Sequence, residues 1–151
     1  MGRVAAIILK DGAIALIERR RGGELYYLFP GGSVEAGESN EDGLVREVRE
    51  ELGLAIVVKK LLAEVSFRGS SQRYYRAEIV GGEFGTGYGS EISLDATAES
   101  GSYTPVWLPI DDLLDKPVYP RGVAELVIKA ARQGWPSAPV QIIDPGRPRT
   151  S

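Results

Sequence analysis

The chain has 151 residues, 43% of them hydrophobic, which suits one domain with a full core and is too short for two ordinary ones. With no cysteine and no histidine, disulfides, thiol nucleophiles and histidine-based triads are excluded. A net charge of -3 and a pI near 5.1 argue against a stable nucleic-acid complex or membrane attachment and point to a small phosphorylated ligand.

Residues 3–9 and 13–18 are aliphatic and β-branched runs separated by Lys10-Asp11-Gly12, and Asp-Gly between such runs predicts a hairpin. The apolar opening is too short for a signal or membrane-spanning segment, so a cytoplasmic location is expected. Arg19, Arg20 and Arg21, followed by Gly22 and Gly23, read as a solvated strand end; the functional alternative is a phosphate or ribose contact, with Arg19 the candidate. Residues 25–29 form a short strand stopped by Pro30, after which Gly31 and Gly32 let the backbone approach a ligand closely. Tyr26 and Tyr27, like Tyr74 and Tyr75 further on, are either packing residues or a platform for a base, and Tyr27 is a candidate substrate contact.

The glycine-rich stretch 31–38 feeds a short acid-loaded helix. Ser39 or Asn40 caps its start, Glu41 and Asp42 suit the positive end of the helix dipole, and Gly53 stops it. At about 100° per residue, Val45, Val48 and Leu52 share an apolar arc while Glu47, Glu50 and Glu51 share its neighbour. Like charges at these spacings repel by about 0.2–0.5 kcal/mol per pair. Arg46 reaches Glu50 one turn on, yet the arginines are too few to neutralise every acid of the segment. A divalent cation would, and oxygen donors without sulfur or imidazole suit Mg²⁺ or Mn²⁺ better than zinc. The plain alternative is a solvated face laced with ion pairs.

Residues 55–67 and 72–80 predict two longer strands joined by a turn over 68–71, with Tyr74 and Tyr75 on opposite faces. A glycine- and serine-rich stretch, 81–102, follows; loops of that length inside a domain are functional or disordered. Residues 104–108 read as a strand, 109–114 as a helical turn begun by proline, and 120–132 as a second helix covering the sheet with Val123, Leu126, Val127 and Ala130. The predicted domain spans 1–134; residues 135–151 form a Pro/Gly-rich tail whose apolar run 140–143 supplies an edge strand or meets a partner.

The glycine loop and helix closely resemble the Nudix box, Gx5Ex7REUxEExGU with U a bulky aliphatic residue. Gly32, Glu38, Arg46, Glu47, Val48, Glu50, Glu51, Gly53 and Leu54 fill its fixed positions, and a pattern this long is far more specific than a lone GxGxxG. The resemblance implies an α/β fold, an α/β/α sandwich with a mixed sheet between helices, and a hydrolase that cleaves a pyrophosphate linkage in a nucleoside diphosphate derivative with Mg²⁺ or Mn²⁺. It implies Glu47, Glu50 and Glu51 as metal carboxylates and candidate bases, the Gly31 carbonyl as a further ligand, Arg46 as their organiser, and Glu38 as a supporting or more distant metal group that is also a candidate substrate contact. It further implies an extra carboxylate from the 81–102 stretch, where Glu83, Glu91 and Glu99 are candidates and Glu91 is favoured. Two rivals remain: a Nudix-like module that binds a nucleotide without hydrolysing it, and an interaction protein whose acidic helix meets a basic partner. By base rate, a homodimer is the expected assembly if the chain associates with itself.

Overall fold

The computed structural model describes residues 2–87 and 101–146. In chain order these form β1 (Arg3–Ile7), β2 (Leu9–Lys10), β3 (Ala13–Arg21), β4 (Glu24–Leu28), β5 (Gly31–Ser33), α1 (Asn40–Leu52), β6 (Leu54–Phe67) and β7 (Ser70–Gly82). Beyond the 88–100 stretch come β8 (Ser102–Pro109), a 3₁₀ turn (Ile110–Asp112), β9 (Val118–Tyr119), α2 (Arg121–Gln133) and β10 (Val140–Ile143).

Among the described residues the strands divide between two mixed sheets. One has the order β10-β6-β7-β1-β5; the other runs β2-β3-β4-β9, with β8 also paired to β3. In the first sheet β1 lies parallel to β7, and β10 parallel to β6, while β6–β7 and β1–β5 are antiparallel. The β6–β7 hairpin turns through Arg68 (φ 49°) and Gly69 (φ 81°), the left-handed pair that a two-residue turn matched to strand twist requires.

The predicted first hairpin is real but short. Asp11 and Gly12 turn it, and only Leu9 and Lys10 pair with β3 through register partners Ile14 and Ala13. Residues 3–7 instead cross into the other sheet as β1. The reason is burial: Val4 to Ile8 are all at most 1% exposed, and a strand buried on both faces belongs between neighbours with helices above and below.

Helices α1 and α2 cover opposite faces of that layer. Val4, Ala6, Ile8, Ala77 and Tyr75 pack with Leu44, Val48 and Leu52 of α1. Ala5, Ile7, Leu62, Val65 and Tyr74 pack with Val123, Ala124, Leu126 and Val127 of α2. The alternation of a strand thus sorts successive residues into two cores, an α/β/α sandwich. Leu44 takes the inward place on α1 assigned above to Val45, which is half-buried. No helix of the described residues is long and apolar enough to cross a membrane.

Candidate functional site

Helix α1 is fixed at both ends. Asp42 donates its N–H to Ser39 Oγ at 3.0 Å, and Gly53, at φ 78°, donates to the Arg49 carbonyl; each contact satisfies a backbone group the helix leaves open. The chain after β7 turns back on the same end: Gly85 donates to Leu52 O, Glu83 to Gly53 O, and the Thr86 hydroxyl to Glu83 O. The Gly87 α-carbon then backs onto the carbonyls of Glu50 and Glu51, where an added Cβ would lie 2.5 Å from both oxygens. Glu83 is an exposed member of this turn, and Glu91 and Glu99 lie outside the described residues.

The acid face of α1 is organised by Arg46. Its guanidinium donates to both oxygens of Glu38, through Nε at 2.8 Å and Nη2 at 3.0 Å, and through Nη1 to Glu47 at 3.0 Å and Glu50 at 3.3 Å. Nη2 also donates to the Ser33 carbonyl at 3.2 Å, and Glu35 stands 3.6 Å away. One planar fork therefore holds the loop and three helix or loop carboxylates in one array, which a lysine cannot do. The hydrogen bonds from Arg46, then that from the Glu35 N–H, hold the Glu38 carboxyl below its usual range, and Arg46 is correspondingly harder to deprotonate.

Glu51 and Glu47 are the buried members, 5% and 9% exposed. The Gly31 N–H donates to Glu51 at 2.6 Å, so Gly31 meets the acid set through its amide. The expected glycine loop begins as β5, pairing Gly31 with Ala5, because at Gly31 a Cβ would strike the Val4 carbonyl. At Gly32 a Cβ would lie 2.5 Å from the Glu47 carboxyl carbon. The missing side chains bring backbone against carboxylate.

Glu51 also lines a cavity of about 410 Å³. Arg3, Arg19, Phe29, Phe67, Gln72, Tyr74, Tyr103, Tyr119 and Asp144 contribute to its wall. Arg19 is not the solvated strand end expected of it. It is 6% exposed, donates from Nε to the Ser102 carbonyl at 3.3 Å, and lies 3.5 Å over the Tyr103 ring; β8 pairs alongside β3 to Arg20 and covers it. Arg20 and Arg21 are the exposed ones.

Tyr27 is a core residue in this fold, 6% exposed, with its hydroxyl donating to Glu18 at 3.1 Å. Burial first, then the Glu18 charge, raises its pKa. The tyrosines at the cavity are instead Tyr74, Tyr103 and Tyr119. Neither Tyr103 nor Tyr119 was singled out in sequence, because only the pairing of β8 with β3 and of β9 with β4 brings them to the cavity.

The donor set suits a hard divalent cation. It consists of carboxylate oxygens, two of them on nearly buried residues, beside a backbone cradle that a Cβ would fill. Among the described residues, however, no three acidic side chains converge on one point; Arg46 holds Glu38, Glu47 and Glu50 instead.

The fold is an α/β/α sandwich that presents an arginine-gathered acid face beside a cavity of about 410 Å³. The NUDIX domain profile matches residues 1–127, and the chain belongs to the Nudix family. An ADP-ribose pyrophosphatase of Methanocaldococcus jannaschii is 37% identical over 91 residues, 56% of this chain and 54% of that protein. A CTP pyrophosphohydrolase of Escherichia coli is 47% identical over 62 residues, 40% of this chain and 46% of that protein. The matched region thus spans about half the length of these relatives. The crystal structure of an ADP-ribose pyrophosphatase from Streptococcus suis superposes with a TM-score of 0.64 at 21% identity, covering 93% of this chain and 96% of that one; an identity that low speaks for the fold alone.

Proposed function

We propose that the chain is a pyrophosphohydrolase that uses Mg²⁺ or Mn²⁺ to cleave a nucleoside diphosphate derivative. The observation that carries this reading is Glu51: a carboxylate 5% exposed, fixed by the Gly31 amide, that belongs both to the acid face of α1 and to the cavity wall. Reaction and recognition meet at that side chain. Support also comes from the pyrophosphohydrolase names of the two curated relatives.

In the reaction a water oxygen bonds to one phosphorus, the bridging P–O bond breaks, and the water's protons pass to base and product. Glu47, Glu50 and Glu51, with the Gly31 carbonyl and a carboxylate such as Glu91, would hold the cation. When bound, that ion supplies charge neutralisation at the phosphate and acidifies water. Arg46 sets the carboxylate directions through its fork and, always protonated, moves no proton. Among Glu47, Glu50 and Glu51, whichever faces the water accepts its proton. Arg19 presents a cation to the cavity on a rigid strand, a contact for ribose or phosphate oxygens.

One observation favours the rival reading, a module that binds nucleotides without hydrolysing them: Glu38, Glu47 and Glu50 are all bound to Arg46. The two readings separate in a turnover screen of nucleoside triphosphates, nucleotide sugars and dinucleotides with Mg²⁺ or Mn²⁺, products followed by phosphorus NMR. Hydrolysis by the wild type, abolished by chelation and reduced at least about 100-fold in Glu51→Gln, is the expected result. Nucleotide binding with no turnover would establish the module.

A further inference from the structure

The cavity joins two edges of one sheet. In the order β10-β6-β7-β1-β5, β5 carries Gly31 and with it Glu51, while β10 leads at the opposite edge into Asp144; both carboxylates line the same space. Its volume of about 410 Å³ lies in the range that takes a small organic ligand. Phe29, Phe67 and Tyr119 give flat apolar wall. Besides Glu51, Arg19 and Tyr103, the polar wall includes Arg3 and Gln72, register partners on adjacent strands and therefore on one face, with Tyr74 and Asp144.

The donors and acceptors of this end are unevenly shared. The Tyr74 hydroxyl donates to Gln72 Oε1 at 2.9 Å, which leaves the Gln72 amide as a donor. Arg3 only donates. Asp144 only accepts when ionised, and it is held in place: its N–H donates to Ser66 O at 2.8 Å and its Oδ1 accepts from the Gly146 N–H at 2.9 Å. Among the described residues Oδ2 has no hydrogen bond or ion pair, so this oxygen remains for a ligand.

We propose that Asp144 is a specificity-determining residue that accepts a hydrogen bond from the exocyclic amino group of the substrate's base, while Arg3 and Gln72 donate to the base's acceptors. The inference rests on the nucleotide reading of the site above. It makes cytosine and adenine preferred over uracil and hypoxanthine, which place an oxo oxygen where the amino group stands and so bring two acceptors together.

Asp144→Asn tests this with little change of shape. The Gly146 N–H requires an acceptor, so the new amide oxygen takes the place of Oδ1 and the NH₂ turns to the cavity, a donor where an acceptor was. The measurement is kcat/KM for the cytidine and uridine triphosphates and for the adenosine and inosine triphosphates, read as a ratio within each pair so that any general loss of activity cancels. Expected are wild-type ratios of about tenfold or more for the amino member of at least one pair, falling to about one or below in Asp144→Asn, with Asp144→Ala between them. Wild-type ratios near one, or ratios unmoved in Asp144→Asn, overturn the proposal. If the wild type hydrolyses none of the four, calorimetric binding of the corresponding monophosphates gives the same ratios. A preference lost in the variant then retains Asp144 and the absence of any preference overturns it, while the hydrolase reading is decided separately by the turnover screen over nucleotide sugars and dinucleotides.

Discussion

At Gly32 one methyl group would decide where a carboxylate stands. Its Cβ would lie 2.5 Å from the Glu47 carboxyl carbon, the far end of a side chain that can swing if Arg46 releases it. At Gly31 the same atom would meet backbone, the Val4 carbonyl and the Ala5 α-carbon at 2.7 Å, which cannot move without breaking the β1–β5 pairing. The two substitutions therefore separate function from folding. Gly32→Ala is expected to unfold within about 1 kcal/mol of wild type in urea while losing on the order of 100-fold in turnover. Gly31→Ala is expected to lose about 3 kcal/mol or more. Urea titration and initial rates on both proteins check this; full activity in Gly32→Ala would mean that the Glu47 position seen here is irrelevant to the reaction.

Helix α1 shows what a segment of sequence can disclose. Its stop at Gly53 and the shared arc of Glu47, Glu50 and Glu51 follow from local spacing, and the spacing narrows its cap to Ser39 or Asn40, of which the structure selects Ser39. The inward place of Leu44 rather than Val45 was not legible, because neighbours 100° apart compete for one arc and only the sheet decides. The cavity was still less legible. Arg3, Gln72, Tyr103, Tyr119 and Asp144 come from β1, β7, β8, β9 and the end of β10, and only long-range pairing brings them together. The burial of Arg19 is hidden from sequence for the same reason, since β8, more than eighty residues on, supplies its cover. A prediction follows for the cap, whose Oγ accepts from the Asp42 N–H and lines no part of the cavity. Ser39→Ala is expected to cost about 1 kcal/mol, a fall of roughly 2–4 °C in Tm for a domain of this size, with kcat/KM unchanged. Thermal melts beside initial rates measure both, and a loss of activity larger than the loss of stability would show that the helix start governs the site.

Across the whole molecule, both cores carry tyrosines whose hydroxyls resist ionisation. Burial is the largest cause for Tyr74 and for Tyr75, on opposite faces of β7, and for Tyr27 on β4, and in each it raises the pKa above the ordinary 10.0. A group whose folded pKa exceeds its unfolded one binds its proton more tightly in the native state. Its contribution to stability is complete below the unfolded value near pH 10 and declines as the pH rises toward the folded value. Unfolding free energy should therefore fall steeply above pH 10, by up to about 1.4 kcal/mol per pH unit for each such tyrosine. General charge repulsion would also destabilise an acidic protein in alkali, and Tyr74→Phe tells the two apart. At pH 7 the variant loses the hydrogen bond to Gln72, about 1 kcal/mol. Near pH 11 it no longer has that phenolate to keep out of the core, so its deficit should shrink to nothing or reverse. Urea titrations of both proteins at pH 7, 9, 10 and 11 provide the comparison. Parallel curves would assign the alkaline loss to net charge; converging or crossing curves would locate it in the protonated hydroxyl that β7 buries between sheet and α2.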